Sequence, residues 1–172
     1  MGEAQRLVHP LAPVFDAQSR VLILGTMPSP ASRAVGFYYG HPRNRFWPTL
    51  AQVFDEPVPQ TTTERRAFAL HHRIALWDVL RSCEIVGASD GSIRDPEPND
   101  AAALLRCTQI RTIATTGTTA ARLYRKYLRA QTGMDAVALP STSPANCRRG
   151  IEAQLVQAYG VLRALCAEGD GK

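Results

Sequence analysis

Apolar positions along the chain come in short unbroken runs separated by longer segments of helical period. Val21-Leu22-Ile23-Leu24 is continuous and leads into Gly25. Ile74 to Val79 repeats the theme with one acid, Asp78, inside it. Arg111 to Thr116 reads as a third strand, rich in Thr and Ile, and Val137 to Leu139 as a short fourth. Continuous apolar runs of this length mark strands covered on both faces, as in parallel sheets. Between them lie helical segments. One runs from about Asn44, with Pro42 near its start, and ends before Pro57. Thr61-Thr62-Thr63-Glu64 is a capping box for a helix through about His72. Asn99 or Asp100 caps a helix through Arg106. Gly117-Thr118-Thr119 opens a helix that stops at Gly133. A last helix, about Arg149 to Ala167, repeats Ile151, Leu155, Tyr159, Leu162 and Cys166 on one face. Strands alternating with helices predict an α/β fold with a parallel sheet covered on both sides.

Other stretches lack such periods. Residues 1–18 contain His9-Pro10 and Ala12-Pro13 and read as an extended lead-in. Residues 81–99 are polar and turn-rich, with two prolines, and read as a long loop of the functional kind. Residues 168–172 read as a loose tail. No internal repeat or linker divides the chain, so 1–172 reads as one domain. Its 172 residues suffice for a proper core.

Composition narrows the function classes. Hydrophobic residues make up 45% and charged residues 20%, the balance of a globular domain. No apolar run reaches membrane-spanning length and no signal peptide opens the chain, which points to the cytoplasm. A net charge of +5 suits a polyanionic partner. Cys83, Cys107, Cys147 and Cys166 are widely spaced, without the close pairs of metal or cluster sites. They read as reduced, mostly buried thiols, and no metal or cofactor is expected.

Candidate chemistry lies in three segments. Gly36-Phe37-Tyr38-Tyr39-Gly40-His41-Pro42-Arg43-Asn44-Arg45-Phe46-Trp47 places aromatics between glycines, then Asn44 between two arginines. Gly25-Thr26-Met27-Pro28-Ser29 ends the first strand. Pro140-Ser141-Thr142-Ser143-Pro144-Ala145-Asn146 ends the last. These two loops should meet at the carboxyl edge of the sheet, where open α/β folds bind ligands.

Together, and in this order, the three segments resemble the uracil-DNA glycosylase superfamily. Its hypoxanthine-DNA (deoxyinosine) glycosylase branch carries GFYYGHP-x-NRFW and LPSTSPAN. The resemblance spans Val21 to Asn146. It implies a three-layer αβα sandwich around a four-stranded parallel sheet. It implies an enzyme that hydrolyses the glycosidic bond of a deaminated base, most naturally hypoxanthine, in double-stranded DNA, and a monomer is expected.

Residue roles follow from the resemblance position by position. Met27 stands where most relatives place a water-orienting acid or Asn, and a thioether cannot do that. In the hypoxanthine branch the Asn of NRFW takes the role, here Asn44; a helix cap is its alternative. Tyr39 matches the aromatic that stacks on the flipped base, or else packs in the core. Asp78 falls where relatives place the Asn that reads the base edge. It could instead cap a turn or pair with an arginine such as Arg81. Gly25 and Met27 border the base. His41 reads as structural. Ser29, Ser141, Thr142, Ser143, Pro144 and Asn146 match the loops that grip the flanking phosphates. Arg148 and Arg149 suit phosphate contact or a solvated helix start. Leu139 replaces the His that steadies the leaving base in many relatives. The segments hold no Lys for a Schiff base, so a monofunctional enzyme leaving an abasic site is expected. The competing readings are a uracil or mismatch-specific glycosylase, a catalytically silent damaged-DNA-binding module, and an acyl hydrolase using Ser141 or Ser143. The last lacks a G-x-S-x-G elbow.

Overall fold

A computed structural model describes residues 2–167 of the chain. Four parallel strands form the central sheet in the order β3-β2-β6-β7. They are β2 (Val21–Gly25), β3 (Ile74–Asp78), β6 (Thr112–Thr116) and β7 (Ala136–Leu139). β2 is buried at every position. Val21 and Ile23 belong to one core cluster, Leu22 and Leu24 to the other. The period of two explains why an uninterrupted apolar run is needed: both faces are covered.

One face packs against α2 (Phe46–Phe54), α3 (Thr62–His71), α7 (Ile151–Tyr159) and α8 (Val161–Ala167). The other packs against α4 (Ala101–Arg106) and α5 (Thr118–Tyr127). The three-layer arrangement matches the expectation. The predicted capping box forms: Thr61 Oγ1 accepts from the Glu64 N–H, and Glu64 Oε2 accepts from the Thr61 N–H. Asp100 caps α4 through the Ala103 N–H.

Several boundaries differ. The predicted helix from Gly117 to Gly133 breaks at Leu128 into α5 and a single turn, α6 (Arg129–Thr132). The last helix starts at Ile151 and divides at Gly160, yet its five predicted apolar positions are all buried. A short helix, α1 (Pro30–Val35), follows the first loop, with Ser29 as its N-cap. Two of the thiols, Cys83 and Cys166, are buried; Cys107 and Cys147 are exposed. Burial pushes the Cys166 thiol up to about 12.

The main correction concerns residues 81–99, which are not a loop. They form β4 (Leu80–Ile85), a 3-10 turn (Asp90–Ser92) and β5 (Arg94–Pro98). With β1 (Gln5–Val8), taken from the extended lead-in, they make a second, antiparallel sheet ordered β1-β4-β5. β5 is an edge strand, and an edge is where a strand tolerates prolines such as Pro96 and Pro98. β3 continues almost directly into β4, and the Val79 and Leu80 N–H groups bond back to Gly25 and Thr26 carbonyls.

Topology sets the site. The chain leaves β2 for β3 on one side and later returns to place β6 on the other. Such a reversal opens a crevice at the carboxyl ends of the strands. Gly25 pairs with Asp78 there, and Thr116 with Leu139.

Candidate active site

A cleft of about 900 Å³ occupies that edge. Its walls come from the first loop, the aromatic segment, the turn between β4 and β5, and the loop after β7.

Polar groups converge on Gly25 at the floor. A Cβ built on Gly25 would lie 2.5 Å from Asp78 Oδ1 and 3.6 Å from both Thr116 Oγ1 and Tyr39 Oη. The absent side chain is what lets these three groups meet. Asp78 Oδ2 accepts a 2.7 Å hydrogen bond from His9 Nε2, and both side chains are almost wholly buried. His9 Nδ1 accepts from the Leu11 N–H, which places the ring's donor proton on Nε2. The Asp78 carbonyl accepts from Asn99 Nδ2, which also bonds Leu80 O. Asp78 therefore pairs with His9 and not with Arg81, whose partner is Glu97 at 2.8 Å.

Tyr39 lies on the cleft wall in a conformation rare for a bulky residue, with φ 55°. Its ring stacks on Phe46 at 3.7 Å and 11°, and its hydroxyl sits 3.3 Å from Thr116 Oγ1. Burial, with the nearby Asp78 charge, pushes its phenol far above the ordinary range. Tyr38 also lines the cleft and donates to Ala12 O, while Trp47 Nε1 donates to Tyr38 O. These bonds anchor the segment that presents Tyr39.

Asn44 is half-buried and lines the cleft. Its Oδ1 accepts from the Phe46 N–H at 2.9 Å at the start of α2. This is a local i to i+2 turn, since the N-cap of α2 is Arg45, which makes no side-chain cap bond. It leaves a second lone pair on Oδ1 and the Nδ2 hydrogens for other partners. His41 also lines the cleft, with Nδ1 accepting from the Arg43 N–H. Met27 faces the cleft while packing against the Leu22–Leu24 side of the core.

The loop after β7 is tied by its own side chains. Ser141 Oγ accepts from the Ser143 N–H and Ser143 Oγ from the Ala145 N–H. Asn146 Nδ2 donates to Ser141 O, and Arg148 Nε donates to Asn146 Oδ1. Thr142 is only 2% exposed. Pro144 lines the cleft, and Arg148 and Arg149 are open to solvent. Ser29 Oγ accepts from the Ser32 N–H as the cap of α1. Arg45 bonds the carbonyls of Ser143 and Asn146, and its N–H bonds Thr142 O, joining this loop to the start of α2.

Sequence reasoning missed His9, Thr116, Arg45 and Asp90, the last also on the cleft wall. Arg45 had a signal, its place within the NRFW stretch. His9 had none, since it meets Asp78 across 69 residues.

Glu56, His71 and His72 bring potential metal-ligating atoms within 4.8 Å of one another. They lie outside the residues lining the cleft, and His72 already bonds Glu56 at 2.8 Å. No helix among the described residues is long and apolar enough to cross a membrane.

The family model of the uracil DNA glycosylase superfamily matches residues 12–162. This chain belongs to the uracil-DNA glycosylase superfamily. A hypoxanthine DNA glycosylase of Methanosarcina acetivorans is 36% identical over 137 residues, 78% of this chain and 85% of that protein. One from Methanosarcina barkeri is 38% identical over 88 residues, 51% of this chain and 56% of that protein. A solution NMR structure from Methanosarcina acetivorans, described as a candidate uracil DNA glycosylase, superposes with a TM-score of 0.77 at 32% identity. That match covers 90% of this chain and 96% of the other.

Proposed function

We propose that this protein is a monofunctional hypoxanthine-DNA glycosylase that hydrolyses the N-glycosidic bond of deoxyinosine and leaves an abasic site. The observation that carries the reading is the convergence of Asn44, Tyr39 and Asp78 in one cleft of a chain similar to hypoxanthine DNA glycosylases over most of its length.

The substrate is double-stranded DNA, and the target nucleotide leaves the stack before reaction. Extrusion costs a few kcal/mol, least at a mispair. Tyr39 offers a ring backed by Phe46, rigid enough to stack on the extruded base. His9 occupies Asp78 Oδ2, which leaves Oδ1 to accept N1–H of hypoxanthine. Adenine has a lone pair at N1, and a mispaired buried acceptor costs about 1–3 kcal/mol, so normal adenine is rejected. Asn44 Oδ1 accepts from a water and aims its oxygen at C1′. An amide is a poor base, but an oxocarbenium ion needs only a weak nucleophile, well placed. N–H groups and hydroxyls of the loop after β7, with Ser29, Arg148 and Arg149, hold the flanking phosphates. The enzyme acts as a monomer in the cytoplasm.

The test is single-turnover base release from duplexes carrying hypoxanthine, uracil, xanthine or thymine. Hypoxanthine should be released fastest, and Asn44→Ala should slow it by about two orders of magnitude or more while duplex binding is kept. Near-normal release by a folded Asn44→Ala protein moves the water-orienting role elsewhere. Preferential uracil release would instead favour the second reading, which the likeness to the candidate uracil DNA glycosylase supports.

A further inference from the structure

A departing purine takes the C1′–N9 electron pair with it. Its loss is eased by a proton on N7, the most basic ring nitrogen of an N9-linked hypoxanthine. Leu139 cannot supply one, being apolar and 4% exposed. Among the described residues that line the cleft, the carboxyl groups are Asp78 and Asp90. Asp78 is held by His9.

Asp90 opens the 3-10 turn between β4 and β5. Its own loop is firmly tied. Ser92 Oγ donates to Ser89 O at 2.6 Å and accepts from the Val86 N–H at 2.9 Å, and the Ile93 N–H bonds Asp90 O. The residue is open to solvent at the rim, and its carboxyl and the Thr26 side chain lie near one another on the cleft wall. Thr26 directly follows Gly25 of the cleft floor. The fold thus brings a second acid, with no ion-pair partner among the described residues, to the edge of the base site.

We propose that Asp90 is a catalytic residue, the general acid that protonates N7 of hypoxanthine as the glycosidic bond breaks. The C1′–N9 bond cleaves and its electron pair moves onto the purine. The Asp90 proton passes to N7, leaving Asp90 a carboxylate. Water adds to C1′ and gives a proton to solvent, from which Asp90 is recharged. The products are neutral hypoxanthine and an abasic sugar.

The surroundings support the protonated form. Burial raises the Asp90 carboxyl, the neighbouring Thr26 side chain partly opposes this, and the Asp78 charge raises it further. Cys83 of β4 is the other titratable neighbour; Asp90 helps raise its thiol, while Arg6 and Arg33 act to lower it. His41 lines the same cleft.

The proposal rests on the glycosylase reading, which hypoxanthine release by the wild type tests separately. The experiment compares single-turnover release by wild type, Asp90→Asn and Asp90→Glu across pH. Duplexes carry deoxyinosine or 7-deazadeoxyinosine, and binding to a tetrahydrofuran abasic duplex checks folding. Wild-type release should fall as pH rises through the Asp90 ionisation. Asp90→Asn should lose that limb and at least about tenfold in rate at low pH, the lower part of what a general acid supplies. The 7-deaza base should leave slowly from wild type and equally slowly from Asp90→Asn. Unchanged release by Asp90→Asn, an equal loss on both duplexes, or rapid wild-type release of the 7-deaza base would overturn the proposal. Should Asp90→Asn fail to bind the abasic duplex, Asp90→Glu decides: a displaced limb supports the role and an unmoved limb refutes it.

Discussion

The His9–Asp78 bond joins an N-terminal residue to the end of β3, an outer strand of the parallel sheet, and its contribution can be worked from its burial. The two side chains are 3% and 6% exposed, and they meet at 2.7 Å. His9→Ala removes the donor and strands the carboxylate. Breaking a buried pair costs about 3–5 kcal/mol when the remaining charge stays dry. Asp78 also lines the cleft, so water entering from that side rehydrates it and moves the expected loss toward the lower end. Asp78→Ala strands no charge, and the double variant has neither group to satisfy. The cycle of His9→Ala, Asp78→Ala and both, read by urea unfolding, should therefore show a coupling of about 2–3 kcal/mol. The His9→Ala midpoint should drop by roughly 2–4 °C for each kcal/mol lost. A coupling below about 0.5 kcal/mol would refute the argument, because distant independent sites add to within that margin.

Gly25→Ala should drive its Cβ against Asp78 Oδ1, costing about 1–3 kcal/mol in stability and most of the hypoxanthine release; wild-type activity in the variant would show that the floor is more yielding. Tyr39→Phe keeps the ring over Phe46 and loses the bond to Thr116, so unfolding should detect about 0.5–1.5 kcal/mol while release stays within about tenfold. Tyr39→Ala loses the platform and should fail in release assays under the same conditions. Asp90 should also register in stability against pH. Its folded carboxyl is raised above the unfolded value, so its contribution is present in acid and is lost as pH rises through the folded ionisation. Asp90→Asn should therefore melt higher than wild type near pH 7.5, and the gain should vanish as pH falls below the ordinary aspartate range.

The central sheet was legible chiefly through β2 and β3, which are buried on both faces and so are apolar almost throughout. Asp78 stood out for the same reason: a carboxylate in such a run needs a partner. The partner itself was not legible. A hydrogen bond between residues 9 and 78 leaves no local period or spacing in either segment. The second sheet was hidden for another reason. β5 is an edge strand of Arg94, Asp95, Pro96, Glu97 and Pro98, and its composition is that of a turn. Its pairing with β4 also shifts register twice, which erases the alternation that would have marked a strand. Asp90 went unnoticed within that misread segment. Arg45 was visible as a charge beside Asn44, but its bonds to the loop after β7 required the fold.

The groups assigned to chemistry sit where local preference is violated. Tyr39 takes a backbone angle unfavourable to a bulky side chain, and Asp78 interrupts an apolar strand. Each such violation costs of order 1–3 kcal/mol and persists only where the surroundings over-determine it. Here the surroundings do so. Phe46 and Thr116 fix the Tyr39 ring from two elements, while His9 and Asn99 fix Asp78 from two others. The bonds from Asn99 and from the Val79 and Leu80 N–H groups run between the parallel sheet and its antiparallel extension. The segment misread as a loop is therefore part of the support for the Asp78 carboxylate. It also carries the second acid to the rim. One structural addition, β4 to β5 with the N-terminal strand and His9, supplies both the clamp on Asp78 and the placement of Asp90.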